Sequence, residues 1–134
     1  MVKIAGSSVI GSYYTSVAGP PEAYPETAAF AKKFKQRFAK NTESFGMYGY
    51  DATMVGIKAL EGWLKANPGK KPTRTEVSTA VRNLKGYKGI TGAIEFDNKG
   101  DPVKAKYFVL QFDRQSYPGK VVKIVDQQPS AKKS

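Results

Sequence analysis

The feature that most constrains this chain is the order of its secondary-structure signals. One strand signal, over residues 9–16, stands near the N-terminus, and the next strands arrive only after three helical segments. A lone strand cannot satisfy its own backbone N–H and C=O groups, so its partners must come from the far end of the chain. That order excludes both a plain helical bundle and an all-β sandwich. It predicts an α/β fold with long-range strand pairing: a strand, three helices, then a C-terminal antiparallel hairpin or meander. The arrangement reads as a piece of an α/β protein rather than a whole one.

The first strand is expected because Val9, Ile10, Tyr13, Tyr14 and Thr15 suit a pleated backbone, while Gly19, Pro20 and Pro21 punctuate its end. Over 24–40, Ala23, Phe30, Ala31, Phe34 and Phe38 recur at three- and four-residue steps with Lys32, Lys33, Lys35 and Arg37 on other faces, the pattern of an amphipathic surface helix with Pro25 in its first turn. Residues 45–66 are apolar around most of a helical circumference, with Met47, Tyr50, Met54, Ile57 and Leu64 on one line and Val55, Ala59 and Trp63 beside it. They predict a largely buried helix in which Tyr50, Met54 and Trp63 are core. Thr73 followed three residues later by Glu76 is a capping-box signature for a third helix through Leu84, which Gly86 ends. Strands are then expected over 91–96, 107–113 and 121–125, with 127–134 a polar tail.

Chemistry is narrowed by what is missing. Among 134 residues there is no cysteine and no histidine, which removes disulfides, thiolate metal sites and the commonest general base and metal ligand. No catalytic residue, cofactor or metal site is assigned. Asp97, Asn98 and Asp101 do not fit a calcium loop, because Lys99 occupies the third ligand position, so they read as a hairpin turn. Asp51, an acid in a largely apolar helix, either bonds locally or caps or orients a hinge group. The 22 basic against 11 acidic residues give a net charge of +11. That excess leaves one alternative, a small basic nucleic-acid-binding domain, although nothing like a zinc finger, basic zipper or aromatic ribonucleoprotein strand accompanies it.

Two motifs carry a more specific signal. Residues 45–52 (Phe-Gly-Met-Tyr-Gly-Tyr-Asp-Ala) and 87–101 (Tyr-Lys-Gly-Ile-Thr-Gly-Ala-Ile-Glu-Phe-Asp-Asn-Lys-Gly-Asp) resemble the leucine/isoleucine/valine-binding proteins of ABC importers. The resemblance extends over about residues 4–126 and corresponds to the last third of that family. It implies a partial type I periplasmic-binding fold, an incomplete part of a two-lobe receptor whose lobes close on a small solute. Residues 1–126 would contribute to both lobes, with hinge crossings near 18–21 and 87–92. Phe45 would line the ligand cleft, with Tyr48 nearby.

The same resemblance implies a binding protein rather than an enzyme, located in the periplasm or outside the cell, with an amino acid or related small solute and an ABC permease as partners. Groups that hold the carboxylate and ammonium of an amino acid would precede Met1, so this chain alone is expected to bind weakly or not at all. Its lone strand and open helix faces also predict a homo-oligomer formed by exchange of elements.

Overall fold

A computed structural model describes residues 2–113 and 117–127. The first strand is shorter than the sequence suggests. It is preceded by a one-turn helix, α1 (Val2–Ala5), and a 3-10 turn (Gly6–Val9), so that β1 is only Tyr13–Ser16. Gly6 and Gly11 have φ of 56° and 89°, values that turn the chain where a side-chain-bearing residue would be strained. The extended run starts once Gly11 is passed.

Helix α2 (Thr27–Phe38) also begins later than its apolar spacing implies. Tyr24 precedes Pro25 and is extended (φ −130°, ψ 108°), as steric conflict with the proline ring requires. A 3-10 turn (Pro21–Ala23) fills the gap, and Pro25 lies ahead of the helix rather than in its first turn. The buried Thr27 hydroxyl donates to the carbonyl oxygens of Pro21 (2.6 Å) and Tyr24 (2.8 Å), fastening the helix start to that turn. Ala39, at φ 54°, ends the helix.

Helix α3 (Ser44–Ala66) matches its expected length but not its expected burial. One stripe is buried: Ser44, Met47, Asp51, Val55 and Ala59, at steps of three and four. Tyr50, Ile57 and Leu64 lie on the opposite side and are 41%, 43% and 43% exposed, while Met54 and Trp63 are half-buried. The expectation that Tyr50, Met54 and Trp63 are core is therefore corrected: Tyr50 meets only the edge of α2, with the Phe30 ring 4.9 Å away, and among the described residues the line through Ile57 and Leu64 stays exposed. Helix α4 (Arg74–Arg82) opens with the capping box: Glu76 N–H donates to Thr73 Oγ1 (3.3 Å) and Thr73 N–H to Glu76 Oε2 (2.8 Å). It packs along the C-terminal part of α3, where Trp63, Thr79 and Ala80 share a shallow hollow.

The strands form two sheets rather than one continuous meander. β2 (Tyr87–Gly89) and β3 (Gly92–Ile94) make a tight hairpin of their own, and β2 was not expected as a strand. Beyond it, Asp97 Oδ1 accepts from the N–H groups of Lys99 (2.8 Å) and Asp101 (2.9 Å), an Asx-stabilised turn. The second sheet runs β1-β4-β5, all antiparallel, with β4 (Ala105–Gln111) central and β5 (Lys120–Gln127) at the edge. Here the N-terminal strand meets its distant partner, Tyr13 opposite Gln111 and Ser16 opposite Phe108. Gln127, expected to open the tail, is the last residue of β5; residues 128–134 lie outside the described part.

Phe108 and Leu110, on one face of β4, form the core with Tyr24 and Met47, and Tyr14, Phe30, Tyr48, Ile90 and Val121 pack around them. The chain passes so close to Phe108 at Gly19 that an added Cβ would stand 2.5 Å from the ring carbons Cε1 and Cζ. Only glycine fits there.

Candidate functional site

The first two turns of α3 bring the sequence-derived candidates into contact with the rest of the fold. Phe45 is on the first turn and 61% exposed, so its ring offers apolar area to solvent. Tyr48, three residues on and on the same side of the helix, is half-buried. Its hydroxyl donates to the carbonyl oxygen of Val17 (3.0 Å) and lies 2.7 Å from the Tyr24 hydroxyl. Because each phenol has one proton, Tyr24 donates to Tyr48, and Tyr24 in turn accepts from Gly19 N–H (3.3 Å). A relay thus runs from Gly19 through Tyr24 and Tyr48 to Val17, tying the segment after β1 to the start of α3.

Burial pushes the Tyr48 hydroxyl well above the usual phenol range, and the bond to Tyr24 and the nearby Asp51 charge act in the same sense. Tyr48 stays protonated, as a donor to a carbonyl must.

One turn further, Asp51 makes the second attachment. The residue is 1% exposed and has no cation beside it among the described residues. It is satisfied instead by three donors at the tip of the β2–β3 hairpin: Ile90 N–H to Oδ1 (3.0 Å), and Thr91 N–H (2.8 Å) and Thr91 Oγ1 (2.6 Å) to Oδ2. The neighbouring Gly89 lies so near that an added Cβ would be 2.6 Å from Asp51 Cγ. Of the two roles open to Asp51 in the sequence, this is the orienting one: its partners are 39 and 40 residues away. Its position in the register 47, 51, 55, 59 was the available signal, since a carboxylate on the buried line of a helix needs polar partners from another element. Tyr24 was missed altogether, and only its place before Pro25 hinted at a fixed conformation.

A cavity of about 420 Å³ opens beside the α3 N-terminus, lined by Pro21, Glu22, Thr42, Glu43, Ser44 and Pro118 among others, but neither Phe45 nor Tyr48 reaches it. No group of three or more acidic residues among the described residues could hold a metal ion. No helix among the described residues is long and apolar enough to cross a membrane. The site offers an exposed aromatic on a helix held from two sides, an arrangement suited to contact rather than bond-making.

A family model described as "Periplasmic binding protein" matches residues 1–117. A Leu/Ile/Val-binding protein homolog 2 from Brucella abortus is 28% identical over 129 residues, covering 87% of this chain and 33% of the relative. A leucine-binding protein from Thermotoga maritima superposes with a TM-score of 0.72 at 24% identity, over 92% of this chain and 33% of that one. A solute-binding protein from R. palustris, solved with benzoate, gives 0.59 at 19% identity, over 95% and 32%. The chain thus spans about a third of the length of the proteins it matches. A mixed α/β architecture with its strand partners split between the two ends, and a family match across most of its length, place this chain in the periplasmic binding protein family.

Proposed function

We propose that this chain is the C-terminal part of a solute receptor serving an ABC importer for branched-chain amino acids or related small organic solutes. The observation that carries the reading is the exposed Phe45 ring on a helix fastened to the segment after β1 by Tyr48 and to the β2–β3 hairpin by Asp51. In this reading residues 18–21 and 87–92 are hinge crossings between lobes, and Phe45, with Tyr48 beside it, forms an apolar wall of the cleft. Relatives named for leucine, isoleucine and valine supply the solute class. The permease partner and a location in the periplasm or outside the cell follow from the same family role.

Magnitude sets the expected affinity of the chain alone. Complete burial of a leucine side chain contributes about 1.5–3 kcal/mol, and one aromatic wall covers only part of it. Binding at 1 mM needs about 4 kcal/mol net of association costs. The wall by itself should therefore bind more weakly than millimolar.

Titration of isotope-labelled chain with leucine, isoleucine, valine and benzoate, followed by amide and aromatic NMR shifts, tests the reading. Weak, unsaturated shifts centred on Phe45 and Tyr48 are expected. A micromolar site, or shifts confined to another region, would overturn it.

A further inference from the structure

We infer that α2 is a docking face for an anionic lipid surface. From Thr27 to Thr42 the chain carries five cations, Lys32, Lys33, Lys35, Arg37 and Lys40, and no acidic residue. All five side chains are exposed. The apolar side of α2, with Thr27, Phe30, Ala31 and Phe34, faces the protein, so Lys32, Lys33, Lys35 and Arg37 lie on the solvent side of a helix about 18 Å long at 1.5 Å per residue, with Lys40 just past its end. Both ion pairs among the described residues, Lys58–Glu61 and Lys85–Glu95, lie elsewhere, and the α2 charges are left for an external partner.

The end of the helix narrows the kind of polyanion. Phe38 is 50% exposed, with the Arg37 guanidinium 5.8 Å from its ring centroid and Lys40 two residues on. An aromatic flanked by cations at one end of a basic strip suits the boundary between lipid headgroups and acyl chains. Sequence-specific recognition of duplex nucleic acid would call for base-reading side chains, and apart from cations the outer half of α2 offers only Ala28, Ala29 and Gln36; phosphate contact alone would give the exposed Phe38 ring no apolar partner. The choice of lipid also rests on the location proposed above, where bilayer surface is the abundant polyanion.

Each cation held near an anionic bilayer strengthens association about fivefold. The test is co-sedimentation of the full chain with phosphatidylcholine vesicles prepared with and without phosphatidylglycerol. Wild-type chain should bind only the anionic vesicles, and binding should fade as ionic strength rises from about 0.01 to 0.15 M, where the screening length falls from about 30 to 8 Å.

The quadruple variant Lys32→Ala, Lys33→Ala, Lys35→Ala, Arg37→Ala should bind at least about tenfold more weakly. A charge-matched control, Lys65→Ala, Lys70→Ala, Lys71→Ala, Arg74→Ala, should stay within about twofold of wild type, and Phe38→Ala should lose about fivefold. Circular dichroism confirms that each variant is folded. Equal losses in the two quadruple variants would mean that net charge alone acts and would overturn the proposal. So would failure of wild type to bind, or tighter binding to duplex DNA than to vesicles. The vesicle readout contains no solute, so a failed solute titration leaves it intact.

Discussion

Replacing Asp51 by alanine tests the link between α3 and the β2–β3 hairpin. The substitution removes the acceptor of three hydrogen bonds, two from backbone N–H groups and one from a hydroxyl. The Thr91 hydroxyl can turn toward solvent, but the Ile90 and Thr91 amides are fixed by the hairpin and half-buried. A buried donor left unpaired costs about 1–3 kcal/mol, and partial access to water places these two at the lower end. Relief from burying a carboxylate offsets part of the loss. The expected net destabilisation is about 1–2 kcal/mol, a sizeable fraction of the total for a chain this size. Urea denaturation read by Trp63, the one tryptophan, measures it. Hydrogen exchange at Ile90 and Thr91 should accelerate more than elsewhere. A loss below about 0.5 kcal/mol with unchanged protection at both amides would refute the argument, because water or another group would then have replaced the carboxylate at no cost.

Gly19→Ala should cost about 1–3 kcal/mol in the same denaturation assay, because its Cβ would overlap the ring of the fully buried Phe108. Tyr48→Phe keeps the ring but frees the Val17 carbonyl and deprives Tyr24 of its acceptor, with an expected loss of about 0.5–1.5 kcal/mol. Glu76 sits below its ordinary carboxylate value of 4.5, first because of its bond to the Thr73 backbone and then because of the Thr73 hydroxyl. With the folded value depressed, the cap contributes above about pH 4.5 and is lost as pH falls through the folded value; Glu76→Gln should remove that acid-dependent part of α4 helicity, read by circular dichroism against pH. The exposed line Tyr50, Ile57 and Leu64 should bring copies of the chain together, and a monomeric mass by light scattering at micromolar concentration would count against it.

How much of this was readable in the sequence depended on how local the cause was. The capping box of α4 needs only Thr73 and Glu76 three residues apart, and it formed as written. The extent of α3 is likewise a matter of periodicity within one segment. By contrast, β2 was invisible: Tyr87, Lys88 and Gly89 have no alternating pattern, and the hairpin is fixed at its tip by a carboxylate 39 residues earlier in the chain. The exposure of Tyr50, Ile57 and Leu64 was also beyond reach, because an apolar helix face says that something should cover it, not whether this chain supplies the cover. Phe45 and Tyr48 came from a motif resemblance. What periodicity could not supply was the phenol pair, since Tyr24 and Tyr48 meet only once the chain has turned at Pro20, Pro21 and Pro25.

The two attachments of α3 act together because of their spacing. Tyr48 and Asp51 are three residues apart, less than one helical turn, yet one holds the segment after β1 and the other holds the β2–β3 hairpin. Any rotation of α3 that relaxed one attachment would strain the other, since both are set by a single rigid backbone. Phe45 lies just ahead of them, on the first turn of the same helix. The α3 backbone at Phe45 is therefore positioned relative to both segments with little freedom, and if Phe45 is the cleft wall proposed above, little backbone entropy is surrendered when a solute meets it. If residues 18–21 and 87–92 are the crossings of a hinge, Phe45 moves with the hinge as a unit rather than as a loose side chain. If the chain is part of the receptor proposed above, loosening either attachment should then weaken solute binding there even though neither Tyr24 nor Asp51 need touch the solute.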